Sequence, residues 1–100
     1  MSKKPETIFA EKIDKQLKKT FGKKIWVENI QQVGKIGTPD RLICLNGTFV
    51  ALELKTDDGV IAPLQLLKLL EIKQAGGEGF VVTPLTWNLI LDKLKAIFAR

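Results

Sequence analysis

The chain contains no histidine and only one cysteine, Cys44. Without imidazole there is no Ser-His-Asp or Cys-His nucleophile system, no histidine acid–base chemistry and no imidazole-bound zinc. One cysteine excludes an internal disulfide framework and a thiolate zinc cluster. Any catalysis must therefore rest on carboxylates and lysines, which points to hard, oxygen-preferring metals. No apolar run approaches the ~20 residues that span a bilayer, and Met1–Glu6 leads into no signal-like block. The expected location is intracellular, in the cytoplasm, and a reduced Cys44 is consistent with it.

What is present fits one packed unit. A chain of 100 residues, 45% hydrophobic and 27% charged, is expected to form a single domain over residues 1–100. The net charge of +5 is unevenly placed: residues 1–24 hold eight lysines against Glu6, Glu11 and Asp14. The remaining 76 residues balance eight cations with eight acids. Such a patch suits a polyanion such as nucleic acid, although a solvated lysine-rich helix face would look the same.

Pro5 suits the first position of a helix running to about Thr20, before Gly22. Phe9, Ala10, Ile13 and Leu17 share one arc of it, and Lys12, Lys15, Lys18 and Lys19 the other. Ile25–Ile30 reads as a strand, and residues 31–39, with Gly34 and Gly37, as a loop. Two strands, Arg41–Leu45 and Thr48–Lys55, flank Asn46-Gly47, a pair suited to the positive φ angles of a type I′ hairpin turn. Phe49 to Leu52 looks buried on both sides. After the break at Asp57-Asp58-Gly59, Pro63 opens a leucine-rich helix that stops at Gly76-Gly77. Gly79–Thr83 reads as a buried strand. Pro84 then precedes a helix with Trp87, Ile90, Leu91, Leu94, Ile97 and Phe98 on one face. The expected fold class is α/β, in the order α-β-β-β-α-β-α, with a mixed sheet flanked by helices.

Chemistry concentrates at the end of the hairpin. Side chains alternate along a strand, so Glu53 and Lys55 share a face opposite Leu52 and Leu54. A charged pair there is costly unless partnered or bound to a metal. A plain Glu–Lys pair at a strand end is the simpler explanation. Asp40 lies six residues before Asn46, and Glu53 six after Gly47. A two-residue turn puts such positions opposite one another, so both carboxylates can meet one ion. Two carboxylates and a main-chain carbonyl suit Mg²⁺ or Mn²⁺. Arg41 is expected to face solvent, with a phosphate contact as the alternative.

Gly37-Thr38-Pro39-Asp40, then Glu53-Leu54-Lys55, then Gln65 on the following helix resembles the PD-(D/E)xK nucleases. More narrowly, the chain is similar to the stand-alone VRR-NUC (virus-type replication-repair nuclease) domains, which are related to archaeal-type Holliday junction resolvases. The resemblance spans nearly the whole chain, including the first helix and Ala75-Gly76-Gly77. It implies a restriction-endonuclease-like core and hydrolysis of phosphodiesters to 5′-phosphate and 3′-hydroxyl ends. Asp40, Glu53 and the Leu54 carbonyl would hold Mg²⁺, with Mn²⁺ as substitute, and Lys55 would position the attacking water. The family's first-helix glutamate corresponds to Glu6, at about 60° from Phe9 on the wheel, while Glu11 at about 200° falls among the lysines. The helix dipole alone also favours an acid at Glu6. Gln65 matches a glutamine that orients or contacts substrate.

The implied function is a metal-dependent DNA endonuclease, structure-selective in the manner of a Holliday junction resolvase, serving replication, recombination or repair. Its partner would be branched DNA, and one site per chain implies a homodimer. Ile36, Val60 and Ile61 are candidate interface residues, and a phage origin fits the small size. The competing readings are a non-catalytic nucleic-acid-binding module, a nuclease subunit that needs a partner, a restriction-type enzyme, and a scaffold protein with an accidental ExK.

Overall fold

Asn46 at φ 49° and Gly47 at φ 93° turn the chain between two strands, both in the left-handed region that a type I′ hairpin needs. Asn46 also donates through Nδ2 to the Phe98 carbonyl at 3.1 Å, which ties the turn to the end of the last helix. The computed structural model describes residues 3–30, 39–56 and 60–100. Its elements are α1 (Pro5–Phe21), a 3-10 turn (Gly22–Lys24), β1 (Ile25–Asn29), β2 (Arg41–Leu45), β3 (Thr48–Leu54), α2 (Pro63–Gln74), β4 (Glu78–Val82) and α3 (Trp87–Phe98). The expected order holds. α3 begins three residues after Pro84 because Thr83 and Thr86 first close a turn, with Thr86 N donating to Thr83 O at 3.1 Å. The loop assigned to residues 31–39 lies, up to residue 38, outside the described residues, as do Ile36 and the break at 57–59.

The sheet order is β1-β2-β3-β4. The first two pairings are antiparallel and β3–β4 is parallel, so α2 is the crossover between parallel neighbours. One face of the sheet, the inner face, is covered by α1 and α3. Phe9, Ile13, Leu17 and Phe21 of α1 and Trp87, Ile90, Leu94 and Ile97 of α3 close over Ile43, Leu45, Val50, Leu52 and Val82. The apolar arcs read from α1 and α3 are thus the buried ones. Trp87 Nε1 donates to Gln16 Oε1, so the largest core residue also satisfies its polar atom.

α2 lies on the outer face, over β3 and β4. Leu69 is its one buried residue, and it sits against Gly79, where an added Cβ would meet Leu69 Cδ2 at 3.1 Å. Most α2 leucines, Leu64, Leu66, Leu67 and Leu70, are exposed. The β1–β2 half of the outer face carries no helix among the described residues. Phe49, read from sequence as buried on both sides, stands near the start of β3 beside the end of α2 and is 45% exposed, and the doubly buried run starts at Val50. No helix among the described residues is long and apolar enough to cross a membrane.

Candidate active site at the end of the central hairpin

The β2–β3 register pairs Arg41 with Leu52, and one further step brings Asp40 opposite Glu53. Sequence spacing had placed them there. Asp40 Oδ2 accepts a hydrogen bond from the Leu54 backbone N–H at 2.9 Å, which closes the end of the hairpin through a side chain. Glu53 points to the outer face beneath the start of α2 and is only 2% exposed.

Two groups approach one oxygen of the Glu53 carboxylate. Gln65 Nε2 donates to Oε2 at 2.6 Å, and Lys55 Nζ stands 3.7 Å from the same oxygen. The other oxygen, Oε1, is buried with no hydrogen-bond partner. Burial above all, and the negative charge of Asp40 after it, push the Glu53 carboxyl up to about 7; Lys55 works in the opposite direction. A buried carboxylate with a bare oxygen beside a second acid is a poor arrangement by itself and a good one around a cation.

The Gln65 amide is held at both ends. Its Oε1 accepts from the Ala62 N–H at 3.0 Å, a capping contact at the start of α2, which leaves its amide N–H group aimed at Glu53. Lys55 is fixed by its backbone, whose N–H donates to Val82 O at 2.9 Å and extends the parallel ladder.

Glu6 stands on the first turn of α1, exposed, and lines a pocket of about 300 Å³ with Thr7, Ala10, Glu11, Asp14, Asp40, Arg41 and Leu54. It therefore shares a cavity with Asp40 and Leu54. No three acidic, histidine or cysteine side chains converge closely enough to hold an ion by themselves among the described residues. Glu11 is engaged by Lys3 at 2.8 Å. A larger groove of about 500 Å³ runs between α1 and β1, away from the two carboxylates, and is lined by Asp14, Lys18 and Trp26 among others.

Arg41 corrects the sequence reading. It is 8% exposed, not solvent-facing, and its guanidinium forks onto Asp14, with Nε to Oδ1 at 2.9 Å and Nη2 to Oδ2 at 3.1 Å. Its Nη1 donates to the Asp40 carbonyl at 3.1 Å. The inward direction follows from register: Arg41 lies on the same face as Ile43 and Leu45. Asp14 belongs to no motif, and the one signal for it is its place about 140° from Phe9, at the border of the apolar arc where a helix meets its sheet.

A central hairpin thus brings Asp40 and the Glu53-Leu54-Lys55 triplet to one end of a mixed sheet. No family model matches the chain, and no curated protein does. A solved structure described as a VRR_NUC domain matches with TM-score 0.63 and 26% identity, over 86% of this chain and 92% of that one. The chain is thus similar to a VRR-NUC domain in fold and in sequence, as its motifs indicate.

Proposed function

We propose that the protein is a Mg²⁺- or Mn²⁺-dependent DNA endonuclease that hydrolyses phosphodiesters in branched DNA as a homodimer. The observation that carries this reading is the bare, buried Oε1 of Glu53, with the negative charge of Asp40 close enough to raise the Glu53 carboxyl further. Asp40, Glu53 and the Leu54 carbonyl would hold the cation, with Glu6 available from the shared pocket. When bound, the ion supplies charge neutralisation at the phosphate and a more acidic water.

The chain's own residues supply the rest. Gln65 and Lys55 both approach Oε2 of Glu53, which leaves Oε1 as the free donor atom. Loss of the Glu53 proton above about pH 7 readies that oxygen for a cation. The Lys55 ammonium, set on the same face as Glu53, stabilises negative charge developing on the phosphate and holds the attacking water. The lysines along α1 add salt-sensitive, sequence-independent backbone affinity. No described element has the form of a base-reading helix, which favours selection by DNA shape. One site per chain requires two copies for symmetric cutting, and Leu66, Leu67 and Leu70, together on the outward side of α2, are available to join them.

The test is a cleavage assay on four-way junction, flap, single strand and duplex with Mg²⁺, Mn²⁺ or chelator. Wild type should cut only with metal, and Asp40→Ala should lose at least about a hundredfold in rate. Salt-sensitive binding with no cutting under any condition would move the assignment to a non-catalytic binding module.

A further inference from the structure

The outer sheet face carries a row of three side chains across β1, β2 and the start of β3. Register pairs Trp26 with Cys44 and Cys44 with Phe49, and directly opposed residues point to the same side. All three are exposed, Trp26 at 57% and Phe49 at 45%. An exposed tryptophan on β1 and an exposed phenylalanine on β3, separated by one small residue on β2, form an apolar strip bordered at Phe49 by Gly77 and the end of α2.

Both side chains leave fixed backbone, and Phe49 has a neighbour against its ring. Gly77 lies against Phe49, where an added Cβ would come within 3.1 Å of the Phe49 carbonyl and 3.2 Å of its ring. Trp26 belongs to a strand, so its Cα and Cβ are fixed by the β1–β2 ladder. Two strand spacings put the rings about 10 Å apart, far enough for each to take its own planar partner.

We propose that Trp26 and Phe49 are a stacking platform for unpaired nucleobases, which places a single-stranded stretch of DNA on the sheet face that carries Glu53. The choice of DNA rests on the function proposed above. Phe49 and Glu53 lie on one strand and one face, four residues or about 13 Å apart, within reach of a few nucleotides. Charge supports the same occupant. Lys23 and Lys24 lead directly into β1, and Lys18 shares the groove at the sheet edge with Trp26. Glu28 and Leu42 occupy the next row toward Glu53. Glu28 sits at the sheet edge, so phosphates are expected to run on the lysine side while bases lie over the rings. Base-on-aromatic stacking tolerates any sequence, because every base has a flat face.

The protein holds an internal reference for the test, since its other tryptophan, Trp87, is 1% exposed. The full chain in chelator, where no cleavage is required, is titrated with an oligo-dT single strand and with a blunt duplex of equal length. Oligo-dT should quench tryptophan emission to saturation, and duplex should not. By anisotropy of a labelled oligo-dT, Trp26→Ala and Phe49→Ala should each weaken binding about tenfold and leave duplex binding within about twofold. Trp26→Phe should abolish the quench while keeping most of the affinity, with unchanged melting as the fold control. Equal loss on both probes would overturn the platform in favour of plain electrostatics. Emission that changes with protein concentration and not with oligo-dT would overturn it too, making the row a contact between copies. Cleavage in metal without quench in chelator refutes this inference alone, whereas quench without cleavage refutes the nuclease.

Discussion

Glu53 concentrates the site's tension in one side chain. Its folded-state value, about 7, lies above the ordinary 4.5, so the protonated form favours the fold. That contribution is complete below about pH 4.5 and is withdrawn as pH rises through about 7. In chelator, wild type should therefore be less stable at about pH 8 than at about pH 5, by up to about 3 kcal/mol. Glu53→Gln should flatten this difference, as read from urea unfolding at the two pH values. Added Mg²⁺ should raise wild-type stability chiefly at the higher pH, since the cation needs the ionised carboxylate. No rise in Glu53→Gln would place the ion on this residue. Glu53, Lys55 and Asp40 were legible in the sequence because strand alternation and a two-residue turn are fixed geometry. The direction of Gln65 was not, since it depends on a helix-capping contact with Ala62 that no side-chain pattern announces.

Between elements, the decisive contact is the fork of Arg41 onto Asp14, which clamps α1 to β2 next to the site. Asp14 keeps a third of its side chain in water, so the pair is weaker than a fully buried one. Arg41→Met should cost about 2 kcal/mol, and a double-mutant cycle with Asp14→Asn should return about 1 kcal/mol of coupling. Additive single effects would mean that the two side chains stabilise the fold independently. Arg41 also holds the Asp40 carbonyl, so its loss should weaken Mg²⁺ binding in calorimetry more than Asp14→Asn does. α1 and α3 were read correctly because each buries one arc. α2 resists that reading: apolar on nearly all sides, it gives no period from which to pick the inward face. Leu69 is inward because Gly79 leaves it room, a fact about the opposite strand.

At the scale of the whole molecule, the outward leucines of α2 and the positive first quarter bear on assembly. Leu67→Glu with Leu70→Glu should convert a dimer to monomers in sedimentation analysis while leaving the melting temperature within a few degrees, since both residues are exposed in one chain. A dimer that survives would place the contact elsewhere. The excess of lysine in residues 1–24 was visible from composition, and the place of Lys12, Lys15, Lys18 and Lys19 on the outward arc of α1 from helical spacing. The open sheet half was beyond the sequence, because the chain does not say which strands a single crossover helix will leave bare.

The Asn46-Gly47 turn has a consequence for how such a chain can vary. It is the midpoint of a count, with equal numbers of residues out to Asp40 and to Glu53. An insertion of one residue on either arm turns one acid to the opposite side of the sheet or shifts it along, and two intact residues then no longer face each other. Only changes mirrored on both arms keep the meeting point. The hairpin thus behaves as a measured span whose length is under tighter constraint than its composition, and relatives should differ freely in the letters between the two acids but hardly at all in their number.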